Sequence, residues 1–127
     1  MWQPTIVPPE LSSWVLTPLL AALTEINRAA RRNGYSVPPL YRSGVRYREE
    51  PHGSERWLSS VAALREGSAD CEDLACWLAA DLLDQGLPAR AIPLPSPQRT
   101  AGGGRLYHIV VDRGSGLLED PSRNLGM

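Results

Sequence analysis

The feature that most constrains this fold is a capped, apolar helix near the middle of the chain. Residues 69–75 (Ala-Asp-Cys-Glu-Asp-Leu-Ala) predict its start, because Asp70 is a favourable N-cap and Asp73 stands where a capping box has its second side chain. Gly86 is placed to end the helix just after Gln85. The apolar residues that follow at helical spacing form one buried face: Leu74, Ala75, Leu78 and Leu82. We therefore predict that the other elements pack around this helix.

Cys71 falls on the first residue of this predicted helix. There the free backbone N–H groups and the positive end of the helix dipole stabilise a thiolate, so the position is typical of a nucleophilic cysteine. The alternative is a small buried side chain that fills space at a helix start. Glu72 and Asp73 oppose the dipole, because two carboxylates within one turn raise the energy of a thiolate. A base elsewhere in the chain has to supply most of the activation.

Length and charge bound the class of protein. The chain has 127 residues, which indicates one domain with a core of its own; we place it at residues 11–127, after an extended, Pro-rich arm at residues 1–10. The formal net charge of −1 argues against a nucleic-acid partner. No apolar run approaches the roughly 20 residues of a membrane span. The first ten residues carry three prolines and no basic segment, which argues against a secretory signal.

The two cysteines, Cys71 and Cys76, lie five residues apart on the same predicted helix. This offset places them on different faces, so a disulfide between them is not expected and a reducing compartment is. The chain has no pair of cysteines at zinc-binding spacing, and only His52 and His108 are available as further nitrogen ligands. We expect neither a metal nor another cofactor.

Two more helices and a long connection are predicted in the first half of the chain. The first helix runs from Ser12 or Ser13 to about Arg32, with a start at Thr17 as the alternative because a proline follows it. The second runs from Glu55 to about Glu66, with Ser54 as its N-cap. Residues 35–53 between them are predicted to be irregular or strand-like.

The connection at residues 35–53 carries basic and aromatic side chains together. Such a mixture is able to bind an anion or a strand of nucleic acid. The adjacent Glu49 and Glu50 favour a solvated, salt-bridged loop instead. The side chains in question are Tyr41, Arg42, Arg46, Tyr47 and Arg48.

After Gly86 the apolar pattern changes to the period of two that is typical of strands. The predicted elements are an edge strand at Ala89–Leu94, a loop at Ser96–Arg105, a strand at Leu106–Asp112, a turn at Arg113–Gly116, a returning strand at Leu117–Asp120 and an irregular tail from Pro121. Helices first and strands later indicate an α+β domain, in which N-terminal helices pack on a small antiparallel sheet.

His108 and Asp120 lie on the two strands of the predicted hairpin. A turn centred near Ser115 puts them side by side on one face of the sheet, within reach of each other. An Asp beside a His fixes the tautomer of the imidazole and supports its charged form. If the helix of Cys71 packs across this face, Cys71, His108 and Asp120 form a nucleophile, a base and a residue that orients the base.

These motifs resemble those of a known family. They are Asp70-Cys71-Glu72-Asp73-Leu74-Ala75 at a helix start, Leu83-Asp84-Gln85-Gly86-Leu87-Pro88-Ala89-Arg90 after it, Tyr107-His108-Ile109-Val110, and Leu118-Glu119-Asp120-Pro121-Ser122. Together they are similar to the transglutaminase-like branch of the papain-fold cysteine enzymes, over roughly Trp57 to Ser122. The chain departs from the family pattern where Ile109 follows the His in place of an aromatic residue, and where Ala69-Asp70 precedes the Cys in place of a glycine, with Gly67 further back.

The resemblance implies a papain-like core and a catalytic triad of Cys71, His108 and Asp120. The expected function is that of a cysteine-nucleophile amide hydrolase or acyl transferase acting on a peptide or protein amide, with a thiolate–imidazolium pair that persists at neutral pH. The Cys71 backbone N–H is one expected oxyanion donor. Asp70, Tyr47 and Trp57 are the further candidates for contacts with the oxyanion or the substrate.

The alternative function keeps the fold without turnover. Small chains of this kind are similar to proteins encoded among bacteriophage and prophage virion genes. The chain would then be a structural or adaptor subunit of a virion or a similar assembly, with residues 1–10 and 35–53 in contact with its neighbours. Both readings imply a location in the cytoplasm of a bacterial host or in the phage particle.

Overall fold

The computed structural model describes residues 6–7, 12–50, 56–99 and 105–127, and the side chains of 15–50, 56–95 and 107–127. This part of the chain is an α+β fold, as the order of elements predicts. Its helices are α1 Ser12–Arg32, α2 Ser60–Glu66, α3 Cys71–Asp84 and α4 Pro121–Asn124, and its strands are β1 Ile6–Val7, β2 Arg46–Tyr47, β3 Ser68–Ala69, β4 Arg90–Arg99, β5 Arg105–Asp112 and β6 Leu118–Glu119. None of these helices has the length and apolar character needed to span a bilayer.

Strand β5 is the centre of a four-stranded antiparallel sheet. On one side it pairs with β4, from Arg90 opposite Asp112 to Pro95 opposite Tyr107. On its other side it pairs with two short strands, β1 at the start of β5 and β6 at its end. The predicted antiparallel sheet and the position of β4 at its edge are confirmed.

Helix α3 is the core of the fold. All twelve residues from Cys71 to Leu82 are buried, and the side chain of Trp77 has no exposed surface. Helix α1 packs along α3 with its buried leucines Leu16, Leu20 and Leu23, and α3 in turn packs on β5. A helix buried on every side has no solvated face, which explains why its few polar residues all need partners inside the protein.

Helix α2 is shorter than predicted. Its N-cap is Ser59, whose hydroxyl accepts a hydrogen bond from the Ala62 N–H. The predicted cap Ser54 lies outside the described residues, and the chain has no helix between Arg56 and Ser59. The reason is tertiary, because the Leu58 N–H donates to Asp73 Oδ1 at 2.7 Å and ties this segment to α3 instead.

The predicted loop at residues 96–105 and the predicted irregular tail are also partly wrong. Strand β4 continues to Arg99 through a shift of register after Pro95, and β5 begins at Arg105. After β6 the chain forms α4, which is capped by Asp120 and has Pro121 at its first position. This is a favourable helix start. The Asp side chain accepts hydrogen bonds from the first N–H groups of the helix, and the N–H that Pro lacks would have no partner within the helix at this position.

A small parallel pair of strands, β2 with β3, was not predicted. The Tyr47 N–H donates to the Leu125 carbonyl at 3.0 Å and the Arg48 N–H to the Ala69 carbonyl at 2.8 Å. The connection thereby lies against the start of α3, and its arginines Arg42, Arg46 and Arg48 make no ion pair with the described residues. At the other end of the chain, Ile6 and Val7 of the Pro-rich arm pair with β5 of the same domain.

Candidate active site

The start of α3 forms the capping box that the sequence predicts. Asp70 Oδ1 accepts the Cys71 N–H at 2.7 Å, and Asp73 Oδ2 accepts the Asp70 N–H at 3.2 Å. The second oxygen of Asp70 accepts the Glu50 N–H at 3.1 Å. The Cys71 N–H therefore already has an acceptor, and the expectation that it is a free oxyanion donor is wrong. Asp70 acts as a cap, since both of its oxygens accept backbone hydrogen bonds.

Cys71 is 5 % exposed, and its thiol donates to Glu72 Oε2 at 3.5 Å. Burial raises the pKa of this thiol well above its usual value, and the nearby Glu72 and Asp70 raise it further. The backbone of Ile109 partly offsets the rise in the thiol pKa with a hydrogen bond. These surroundings favour the protonated thiol and oppose the expected thiolate, because desolvation acts against the helix dipole.

His108 and Asp120 come together as predicted. His108 Nε2 lies 2.8 Å from Asp120 Oδ2, and the side chains are 31 % and 22 % exposed. Asp120 does not lie in the returning strand but follows it, as the cap of α4, where its other oxygen accepts the Arg123 N–H at 3.3 Å. A carboxylate held at two points fixes the tautomer of the imidazole with its proton on Nε2, which leaves Nδ1 as the basic nitrogen.

The Cys71 sulfur packs against β5, the strand that carries His108. The sulfur lies against the backbone of Ile109, which is the residue after His108. Ile109 is fully buried under α3, and successive residues of a strand point to opposite faces, so His108 lies on the more open face of β5. No hydrogen bond joins the thiol to the imidazole among the residues whose side chains are described.

Tyr47 and Trp57, the other candidates, have different surroundings. Tyr47 is half-buried on β2, and its hydroxyl makes no hydrogen bond within the described part of the chain. Burial raises the pKa of this hydroxyl, and Asp70 and Cys71 are near enough to raise it further, so Tyr47 stays a proton donor beside the cysteine. Trp57 precedes α2, is half-buried and packs against the core.

Glu72 is a site residue that the sequence predicts only as a charge acting against the thiolate. Its side chain has no exposed surface, and Oε1 has no hydrogen-bond partner among the residues that the structure describes. Burial raises the pKa of this carboxyl well above its usual range, and Asp73 and Asp70 add to the rise. The burial of Glu72 follows from the burial of α3 on all sides, because no position on such a helix faces solvent.

Asp70, Cys71 and Glu72 also form the one group of potential metal ligands found among the described residues, with one ligand atom of each lying within 4.8 Å of the others. Both oxygens of Asp70 already accept backbone hydrogen bonds. We therefore assign Asp70 to helix capping.

Comparison with known proteins gives no relative from which a function can be transferred. No protein-family model, curated protein or solved structure matches the chain.

Proposed function

We propose that this chain is a cysteine-nucleophile amide hydrolase or acyl transferase, with Cys71 as the nucleophile, His108 as the base and Asp120 as the residue that orients the base. The observation that carries the proposal is the 2.8 Å contact between His108 Nε2 and Asp120 Oδ2, on the strand against which the Cys71 sulfur packs. A cysteine at a helix start and a His–Asp pair are the groups that nucleophilic catalysis requires, and β5 carries His108 and contacts the Cys71 sulfur.

The proposed reaction has two stages. Cys71 gives its proton to His108 Nδ1, and the thiolate attacks the carbonyl carbon of an amide. The C–N bond then breaks as the imidazolium returns its proton to the leaving amine, which leaves a thioester on Cys71. Water or a second amine attacks the thioester with His108 as the base, and the thiol is restored. Because α3 packs on the Ile109 face of β5 and His108 lies on the other face, this transfer requires Cys71 or His108 to move when substrate binds.

The oxyanion of the tetrahedral intermediate needs donors other than the Cys71 N–H. We assign one of them to the Tyr47 hydroxyl, which is protonated, half-buried and beside Cys71. In a site that excludes water, a preorganised donor of this type stabilises the developing negative charge by about 3 kcal/mol. Neither Asp70 nor Trp57 is assigned a part in the reaction, because Asp70 caps α3 and Trp57 packs against the core.

The proposal is tested by acylation with p-nitrophenyl acetate, an active ester that does not require the natural substrate to be known. We expect an initial burst of p-nitrophenol equal to the enzyme concentration and an acetyl group on Cys71, located by mass spectrometry of peptides. His108→Asn should slow this acylation on the order of a hundredfold or more. Acetylation of Cys71 at the rate of an unfolded control peptide, unchanged in His108→Asn, would contradict the proposal.

The second candidate is a non-catalytic subunit of a phage particle or similar assembly. The burial of the Cys71 thiol favours it, since a thiol that is 5 % exposed is poorly placed to meet a substrate. Residues 1–10 and 35–53 would contact the neighbouring subunits. This candidate predicts that Cys71→Ala leaves assembly unchanged and that no acyl-enzyme forms in the experiment above.

A further inference from the structure

Glu72 is a buried ionisable residue in contact with Cys71 to which the proposed reaction assigns no role. Its Oε2 lies 3.5 Å from the Cys71 sulfur, and its Oε1 has no hydrogen-bond partner in the described part of the chain. The side chain has no exposed surface. No arginine or histidine with a described side chain pairs with it. A carboxylate without solvent or a counter-ion is costly in such a place, whereas a neutral carboxylic acid is not.

The charges around Glu72 point in the same direction. Asp70 and Asp73 of its own segment face it, and the Tyr47 hydroxyl from β2 is close enough for Glu72 to act on it. A second negative charge at Glu72 would therefore be repelled by its neighbours and, once the thiol ionises, by the sulfur as well. Thiolate formation at Cys71 requires Glu72 to keep its proton.

We propose that Glu72 is a positioning residue, which as a neutral carboxylic acid donates an O–H···S hydrogen bond to the Cys71 thiolate. When the S–H bond breaks, the proton of Cys71 passes to His108 Nδ1 and Glu72 keeps its own. The thiolate then accepts two hydrogen bonds, one from the Glu72 O–H and one from the backbone N–H of Ile109. In this role the carboxyl acts through the sulfur and not on the substrate. This inference rests on the proposed function for the role of the thiolate, but the state of Glu72 can be measured without turnover.

Two variants distinguish a neutral donor from a buried anion. Glu72→Gln replaces the O–H donor by an N–H donor of similar shape, and Glu72→Leu removes the donor at similar volume. The measurement is the rate of Cys71 alkylation by iodoacetamide as a function of pH, which gives the pKa of the thiol. A neutral donor predicts that Glu72→Gln alkylates at neutral pH within about threefold of the wild type, and that Glu72→Leu is slower on the order of tenfold or more.

A buried anion predicts the opposite. Both variants would then lower the thiol pKa and alkylate Cys71 faster than the wild type, which would overturn the inference. Equal rates in all three proteins would overturn it too, because Glu72 would then have no effect on the sulfur.

Infrared spectroscopy gives an independent readout that holds even where Glu72→Leu does not fold. The wild type at neutral pH should show the C=O stretch of a protonated carboxylic acid, and Glu72→Gln should lack this band. The difference spectrum of the two proteins should therefore contain the band. Its absence from the difference spectrum would mean that Glu72 is ionised. A band assigned to Glu72 in a protein that forms no acyl-enzyme would refute the proposed function and leave the neutral carboxyl standing. A catalytically active protein without the band would refute the present inference alone.

Discussion

At the scale of single residues, two opposing effects act on the Cys71 thiol. The helix dipole favours the thiolate by about 0.3–1 kcal/mol. Burial disfavours it and shifts the pKa of fully buried groups by up to about 3–5 units. With the thiol 5 % exposed and Glu72 and Asp70 beside it, burial is the larger effect. Position in a helix can be read from sequence, whereas burial of the helix start depends on which elements pack over it.

Asp120 offers a prediction that separates its two tasks. Asp120→Asn keeps a favourable N-cap for α4 and a hydrogen-bond acceptor for His108, but it removes the negative charge. We expect acylation by p-nitrophenyl acetate to slow about tenfold with little change in stability. Asp120→Ala removes the cap as well, so it should also lower the free energy of unfolding by about 1 kcal/mol. Equal acylation by both variants and the wild type would show that His108 needs no orienting residue.

Tyr47→Phe tests the assigned oxyanion donor. The change removes one hydroxyl that has no hydrogen-bond partner among the described residues, so the free energy of unfolding should stay within about 0.5 kcal/mol of the wild type. Acylation should slow on the order of a hundredfold, because the intermediate loses a donor. Alkylation of Cys71, which forms no oxyanion, serves as the control and should be unchanged. If acylation and alkylation both keep their wild-type rates, Tyr47 is not the donor.

At the scale of elements, local signals predicted what local interactions determine. The start of α3, its end before Gly86 and the pairing of the last two strands follow from capping residues, a glycine and a turn, and the structure has all three. The contact between His108 and Asp120 follows from that hairpin. The start of α2 was mispredicted because a hydrogen bond from Leu58 to Asp73, on another helix, decides where it begins. The pairing of β2 with β3 is likewise tertiary and has no local signal.

Asp81 links three elements and gives a prediction at this scale. It is buried on α3, where its Oδ2 accepts the Leu40 N–H at 2.7 Å and its Oδ1 binds Arg31 of α1. Asp81→Ala leaves a buried N–H and a largely buried guanidinium without this acceptor, so the free energy of unfolding should fall by about 3 kcal/mol. Asp84→Ala is the matched control, since Asp84 binds Arg28 and Arg31 at a more exposed position and should cost about 0–1 kcal/mol. Urea denaturation of both variants measures the difference, and equal losses would contradict the account.

At the scale of the whole molecule, the fold encloses acidic groups around the start of its central helix. Glu50, Asp70, Glu72 and Asp73 are all buried there. The composition alone indicates a nearly neutral protein and does not reveal this cluster, because net charge says nothing about where charges lie. The sequence predicted the α+β class and the order of α1, α2, α3, β4, β5 and β6, but not α4 or the pairing of β2 with β3. It did not predict that the candidate nucleophile is buried among acidic side chains.

This cluster predicts how stability depends on pH. Burial raises the pKa of both Glu72 and Asp73 in the folded protein. A raised carboxyl pKa leaves stability intact below the unfolded value, about 4.3 for Glu, and lowers it as the pH rises toward the folded value. Each such group contributes a fall of about 1.4 kcal/mol per pH unit in that range. Glu72→Gln should remove one group's share, so its stability relative to the wild type should increase with pH between about 5 and 7. A constant difference over that range, measured by urea denaturation, would show that Glu72 does not hold a proton.

The central claim is that Cys71, His108 and Asp120 act together, and the most direct measurement compares the two cysteines of the folded protein. Cys76 lies five residues further along the same helix. It is fully buried and its thiol donates a hydrogen bond to the Leu20 carbonyl, so it serves as an internal control. We predict that iodoacetamide alkylates Cys71 at least about tenfold faster than Cys76 at neutral pH, and that His108→Asn removes most of this difference. Slow alkylation of both cysteines at equal rates, unchanged by His108→Asn, would contradict the claim.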